Sequence, residues 1–126
     1  MTRPPTIINI FRLALAAAVI VITVLATMRI EHPVVSGLGD KFHHLAAFYV
    51  LALLVDFSAP NSRYGLAKAA PLLAYGLLIE VVQYFLPHRT FSLFDLAADA
   101  AGLALYGLSL PLLRRVPVLR RRWETT

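Results

Sequence analysis

Residues 7–28, IINIFRLALAAAVIVITVLATM, carry a single charge, Arg12. A helix needs about 20 residues to cross the ~30 Å hydrocarbon core of a bilayer, and this run supplies them. Three further apolar stretches follow at about 42–57, 66–86 and 94–113. The second is the shortest and reaches across only with Asp40 and Lys41 in its first turn. Thr6, after Pro4 and Pro5, is available to cap the first helix. Pro71 opens or kinks the third near its start, and Pro111 loosens the last turn of the fourth. The expected fold is therefore all-α: one polytopic membrane domain over 1–126, a bundle of four transmembrane helices. Its short connections make sequential helices antiparallel neighbours.

Composition points the same way. The chain is 59% hydrophobic and 15% charged with a mean hydropathy of +0.70, against about 25% charged residues in a soluble domain. Too few charges remain to coat a water-soluble globule. The absence of cysteine excludes a disulfide framework and a thiolate metal site. The net charge of +5 would suggest nucleic acid if the basic residues formed a patch interleaved with aromatics, but they sit outside the apolar runs. Arg114, Arg115, Arg120, Arg121 and Arg122 instead form a juxtamembrane cluster that attracts anionic lipid at ~1 kcal/mol per residue.

Orientation follows from the basic residues, which accumulate in short cytoplasmic segments. With the N-terminus inside, Arg3, Arg12, Arg63, Lys68 and the five C-terminal arginines are cytoplasmic, against Arg29, Lys41 and Arg89 outside, a split of nine to three. Both termini are thus expected in the cytoplasm of a multi-pass protein of the cell (inner, cytoplasmic) membrane. Trp123 and Tyr64 would lie near the inner interface, Phe85 and Phe91 near the outer one. An alternative for the first stretch is a signal peptide, with Val24-Leu25-Ala26 resembling a cleavage site. Its length, and the spacing of Ala14 and Ala18 for close packing in lipid, favour a retained helix.

Ionisable residues inside spanning helices cost at least ~2.5 kcal/mol on insertion scales and are functional candidates with partners to be named. On the third helix Gly76, Glu80 and Gln83 share a face, as do Asp95, Asp99 and Gly102 on the fourth. Asp40, Lys41, His43 and His44 stand at the start of the second. The topology brings all of them to one membrane depth, in an outward-opening cavity with Arg89 above it. Each also has an ordinary reading. Asp40 can cap its helix, Ser92-Leu93-Phe94-Asp95 matches a capping box, and one of the adjacent histidines, taken as His43, must face the headgroups.

The order Asp40-Lys41-x-x-His44, Gly76-x-x-x-Glu80-x-x-Gln83, Pro87-x-Arg89 and Asp95-x-x-x-Asp99-x-x-Gly102 resembles the VanZ-like family of small membrane proteins over about residues 38–107. Two positions depart from the family pattern: Asp99 stands where asparagine is usual, and Tyr106 where a second glycine is typical. The resemblance implies an envelope-associated membrane protein, the founding member being linked to low-level resistance to the glycopeptide teicoplanin. It supplies no reaction.

The leading expectation is a cavity that binds, and in one version modifies, a cell-envelope component such as a lipid-linked precursor or headgroup. Lys41 and Arg89 would receive an anionic group, Asp40, Gln83, Asp95 and Asp99 would complete the binding site, and His44 and Glu80 are the candidates for proton transfer. No cofactor is expected. A second class is metal binding through His44, Glu80, Asp95 and Asp99, without any local HExxH-type ligand pair. A third is a non-catalytic scaffold whose charges form a structural ion-pair network, with function residing in a partner protein. Missing inverted repeats, and charges that do not continue toward the cytoplasmic side, argue against transport. Ala98 and Gly102 form a small-xxx-small pair that also suits a homodimer.

Overall fold

The computed structural model describes residues 5–28, 38–87 and 92–120, with side chains described from Thr6 in the first segment and from Lys41 in the second. The Asp40 side chain and Arg89, both expected at the site, lie outside the described residues, as do Phe91 and Trp123. The described elements are all helical: α1 (Pro5–Thr27), α2 (Leu38–Ser58), α3 (Leu66–Phe85), α4 (Leu93–Leu113) and a short α5 (Pro117–Arg120). α1 begins at Pro5, so Thr6 is a helical residue and not the expected cap. Proline is well suited to that first position, where its missing N–H would have no partner. α3 runs through Pro71, and α4 through Pro111.

Three of these helices, Thr6–Thr27, Leu66–Phe85 and Leu93–Leu113, are long and apolar enough to cross a membrane. α2 has comparable length, 21 residues, but carries Asp40, Lys41, His43 and His44 in its first two turns and Asp56 near its end. The partition of side chains is inverted relative to a water-soluble bundle. Leu13 and Ile20 of α1, Leu78 of α3 and Leu108 of α4 are exposed, whereas Asp56, Lys68, Glu80, Gln83, Asp95 and Asp99 are buried. Water would make so much exposed apolar surface an aggregation liability. Hydrocarbon accepts it, and obliges polar groups to find partners inside.

α2 is the central helix. It touches α1, α3 and α4, and its contact with α4 is the most extensive in the chain. Phe48, Leu51 and Ala52 of α2 meet Leu103 and Tyr106 of α4 and Leu72 of α3, while Leu15, Ala18, Val19 and Ile22 of α1 close the remaining side. The dominant pair is thus parallel and non-sequential, with antiparallel α3 joining its two members. Gly102 sets their separation, since a Cβ there would overlap the Leu45 carbonyl oxygen and lie 3.0 Å from the Tyr49 nitrogen. The small residue that suited a homodimer is spent on this internal contact.

Because backbone atoms cannot yield as a side chain can, Gly102→Ala is expected to destabilise the protein by roughly 1–3 kcal/mol, as overpacking does. Leu108→Ala, on a face that is 78% exposed, should stay within about 0.5 kcal/mol. Melting temperatures of the two variants in the same detergent check the contrast.

Candidate functional site

The polar ends of three helices meet at one end of the bundle. The starts of α2 and α4 and the end of α3 bring Lys41, His44, Glu80, Asp95 and Asp99 together, and each arrives by a separate local cause. Ser92 adopts an extended conformation and caps α4 by accepting from the Asp95 N–H at 3.3 Å. In a complete capping box the Asp95 carboxylate would reach back to the Ser92 N–H. Here Glu80 of α3 takes that place, its Oε2 accepting from the Ser92 nitrogen at 3.0 Å. The Asp95 side chain is thereby released to the α2 side, where Lys41 donates to its Oδ1.

One helical turn further in, the His44 Nδ1 and Asp99 Oδ1 atoms are 2.9 Å apart. A proton on Nδ1 directed at the carboxylate leaves Nε2 as the acceptor nitrogen of the ring, and Nε2 lies 3.7 Å from Asp95 Oδ2. Gly76 makes room for this pair: a Cβ there would stand 2.7 Å from Asp99 Oδ2 and 3.1 Å from the Phe48 ring. Glu80 is fully buried, and its Oε1 has no hydrogen-bond partner among the described residues. Atoms of His44, Glu80 and Asp95 that can bind a metal lie within 4.8 Å of one another. His43 is exposed and His44 turned inward, the division expected of the pair.

Two of the expected residues have protein partners of their own. Gln83 is buried, but its Nε2 donates to the Ala26 carbonyl at 2.9 Å, tying the end of α3 to the last turn of α1. It satisfies one of the carbonyls that a helix end leaves unpaired. Lys41, expected to receive an anionic group, is engaged by Asp95. Of the four metal-ligand candidates, Asp99 is the one held against the histidine ring and outside the group of three.

A second polar cluster, at the opposite end, was not anticipated, and the charges do extend to that side. Lys68, counted among the cytoplasmic cations, is buried and donates to Asp56 Oδ1 at 2.8 Å, Ala59 O at 2.9 Å and Ser62 O at 2.8 Å. The Tyr106 hydroxyl donates to the other Asp56 oxygen at 2.6 Å. Tyr106 of α4 is therefore a partner for an aspartate at the far end of α2. Tyr64, expected at the interface, turns inward to donate to the Leu103 carbonyl at 2.8 Å and packs edge-on against the Tyr106 ring. Burial, and then the Asp56 carboxylate nearby, push its phenol above the ordinary value and keep it a donor. The signal was present: Asp56 and Lys68 are 12 residues apart across a short antiparallel connection, which puts them at one depth.

Lys68→Met strands a buried carboxylate and is expected to cost about 3–5 kcal/mol. Tyr106→Phe removes one hydrogen bond to a charged group, with an expected loss of about 1.5–3 kcal/mol. Thermal unfolding in detergent should rank the two in that order, both below wild type.

No family model matches the chain, and no solved structure matches it. An uncharacterized protein of Schizosaccharomyces pombe is 36% identical over 90 residues, which is 69% of this chain and 52% of that protein. The chain thus spans about half the length of the relative it resembles.

Proposed function

We propose that the chain is a VanZ-like membrane protein with four spanning helices and both termini in the cytoplasm, whose polar site at the outer end binds the headgroup of an envelope lipid or lipid-linked precursor. The observation that carries this reading is the meeting of Lys41, His44, Glu80, Asp95 and Asp99, drawn from three helices, at one end of the bundle. The order and spacing of these residues support the VanZ-like assignment, and the basic split supports the orientation. α2 completes the fourth span because Lys41 and His44 of its first turns face α4 and its Asp56 is paired inside. In the catalytic version, His44 oriented by Asp99 takes the proton and Glu80 is the second acid–base group. Chemistry or binding at this site would act on an envelope component, and a contribution to glycopeptide resistance is one consequence to test.

The scaffold reading has its own support. Lys41 on Asp95, His44 on Asp99 and Lys68 on Asp56 are closed pairs that fix helix packing without any ligand. Glu80 separates the two readings, because it is the described member of the outer cluster with a fully buried side-chain oxygen that has no hydrogen-bond partner.

Reporter fusions at Met1 and Thr126 should both report a cytoplasmic location, and an external signal from either end overturns the topology. Glu80→Gln keeps an acceptor for the Ser92 N–H while removing a buried carboxylate with an unsatisfied oxygen. In chelator-treated protein it should keep or raise stability, by up to about 1–3 kcal/mol. Native mass spectrometry of the gently extracted variant should show loss of the retained phospholipid or precursor mass seen with wild type. A stable variant that retains the same lipid removes Glu80 from the binding role, while an unstable one favours the scaffold.

A further inference from the structure

The geometry points to a divalent first-row cation held by His44, Glu80 and Asp95, with Asp99 as the positioning residue for the histidine. The inference deepens the headgroup reading and rests on it only for what the cation would receive. Three independent observations converge. First, one ligating atom from each of the three side chains already lies within 4.8 Å of the others. Two ligands on a metal with bonds of about 2.0–2.1 Å stand roughly 3.0–3.4 Å apart, so the set closes when its widest pair approaches by up to roughly 1.4–1.8 Å. The 3.7 Å between His44 Nε2 and Asp95 Oδ2 is near that separation.

Second, Glu80 is 0% exposed and its Oε1 has no partner among the described residues. A buried carboxylate oxygen left unsatisfied in an apolar bundle is a standing cost that a cation removes. Its other oxygen accepts from the Ser92 nitrogen at 3.0 Å, which fixes the carboxylate in place and leaves Oε1 uncommitted. Third, the 2.9 Å contact of Asp99 with His44 Nδ1 is the outer-shell arrangement of metal-binding histidines. A carboxylate on one ring nitrogen sets the tautomer and presents the other to the metal.

Charge agrees with geometry. Among the described residues at this end, Glu80, Asp95 and Asp99 set three carboxylates against the single ammonium of Lys41. A divalent cation would partner these carboxylates, and its open positions would receive an anionic oxygen such as a lipid phosphate, which the carboxylates alone would repel. One imidazole with two carboxylates and no thiolate suits zinc, manganese or iron better than calcium.

The test uses the full chain in detergent, stripped with EDTA and titrated with Zn²⁺, with bound metal measured by inductively coupled plasma mass spectrometry after desalting and affinity by calorimetry. Wild type is expected to take up one equivalent. His44→Ala and Glu80→Gln should each lose stoichiometric uptake while melting as cooperatively as wild type in EDTA. Asp99→Asn should bind about tenfold more weakly, the lower end of the loss seen when an outer-shell partner of a metal ligand is changed. His43→Ala, exposed and outside the group, should bind as wild type does. Substoichiometric uptake by wild type, or uptake by Glu80→Gln equal to wild type, overturns the site. So does a matching loss in His43→Ala. Native mass spectrometry of the same samples, in nanodiscs of phosphatidylglycerol and of phosphatidylcholine, keeps the two proposals apart. Lipid retained without any zinc uptake sinks the cation site alone, and zinc bound with no lipid retained in either nanodisc sinks the headgroup reading alone.

Discussion

The parallel register of α2 and α4 is the constraint on which the other features depend. Lys41 with Asp95, His44 with Asp99, Tyr49 with Ser109 and Asp56 with Tyr106 all join these two helices, from one end of the bundle to the other. None can form unless the axes approach closely, and Gly102 against the Leu45 carbonyl permits that approach. In hydrocarbon the apolar side chains gain little by leaving lipid for the helix interface. Close packing and cross-helix hydrogen bonds are left to hold the pair, and here the same contact supplies both.

α3 and α1 are then fitted to this pair by smaller numbers of specific bonds. α3 meets it at Gly76, where the absent side chain leaves space for Asp99, and at Glu80, which completes the cap of α4. α1 has no ionisable group near the outer cluster and joins through Thr23 to Tyr75, Gln83 to Ala26 and Arg12 to Ser58. Its apolar surface is exposed over most of its length, as expected of a helix bordered on most sides by lipid.

Much of this was legible in the sequence. Apolar run length gave the helices to within a few residues, and polar spacing on the third and fourth helices gave the residues that meet at one end. Gln83 was misplaced because three residues turn a helix by about 300°, which leaves Gln83 some 60° round from Glu80 and facing a different neighbour. The Asp56 cluster was missed for another reason: Lys68 had been assigned by counting charge, which treats each lysine as solvated. A lysine whose three donors are filled by Asp56, Ala59 and Ser62 sends no such signal, and only the register of the antiparallel connection reveals its partner.

The two clusters differ in a way that separates structure from chemistry. At the Asp56 end, each carboxylate oxygen and each ammonium hydrogen has a partner, and the cluster is complete as a cross-link between α2, α3 and α4. At the His44 end, the described residues set three carboxylates against one lysine, and the buried Oε1 of Glu80 faces none of the described donors. Evolutionary retention of packing alone would be served by the first arrangement, because an unsatisfied buried acid weakens the bundle that contains it. The cost at the second end is intelligible when something outside the chain completes the set, beside the ligating atoms of His44, Glu80 and Asp95 that already lie within 4.8 Å of one another.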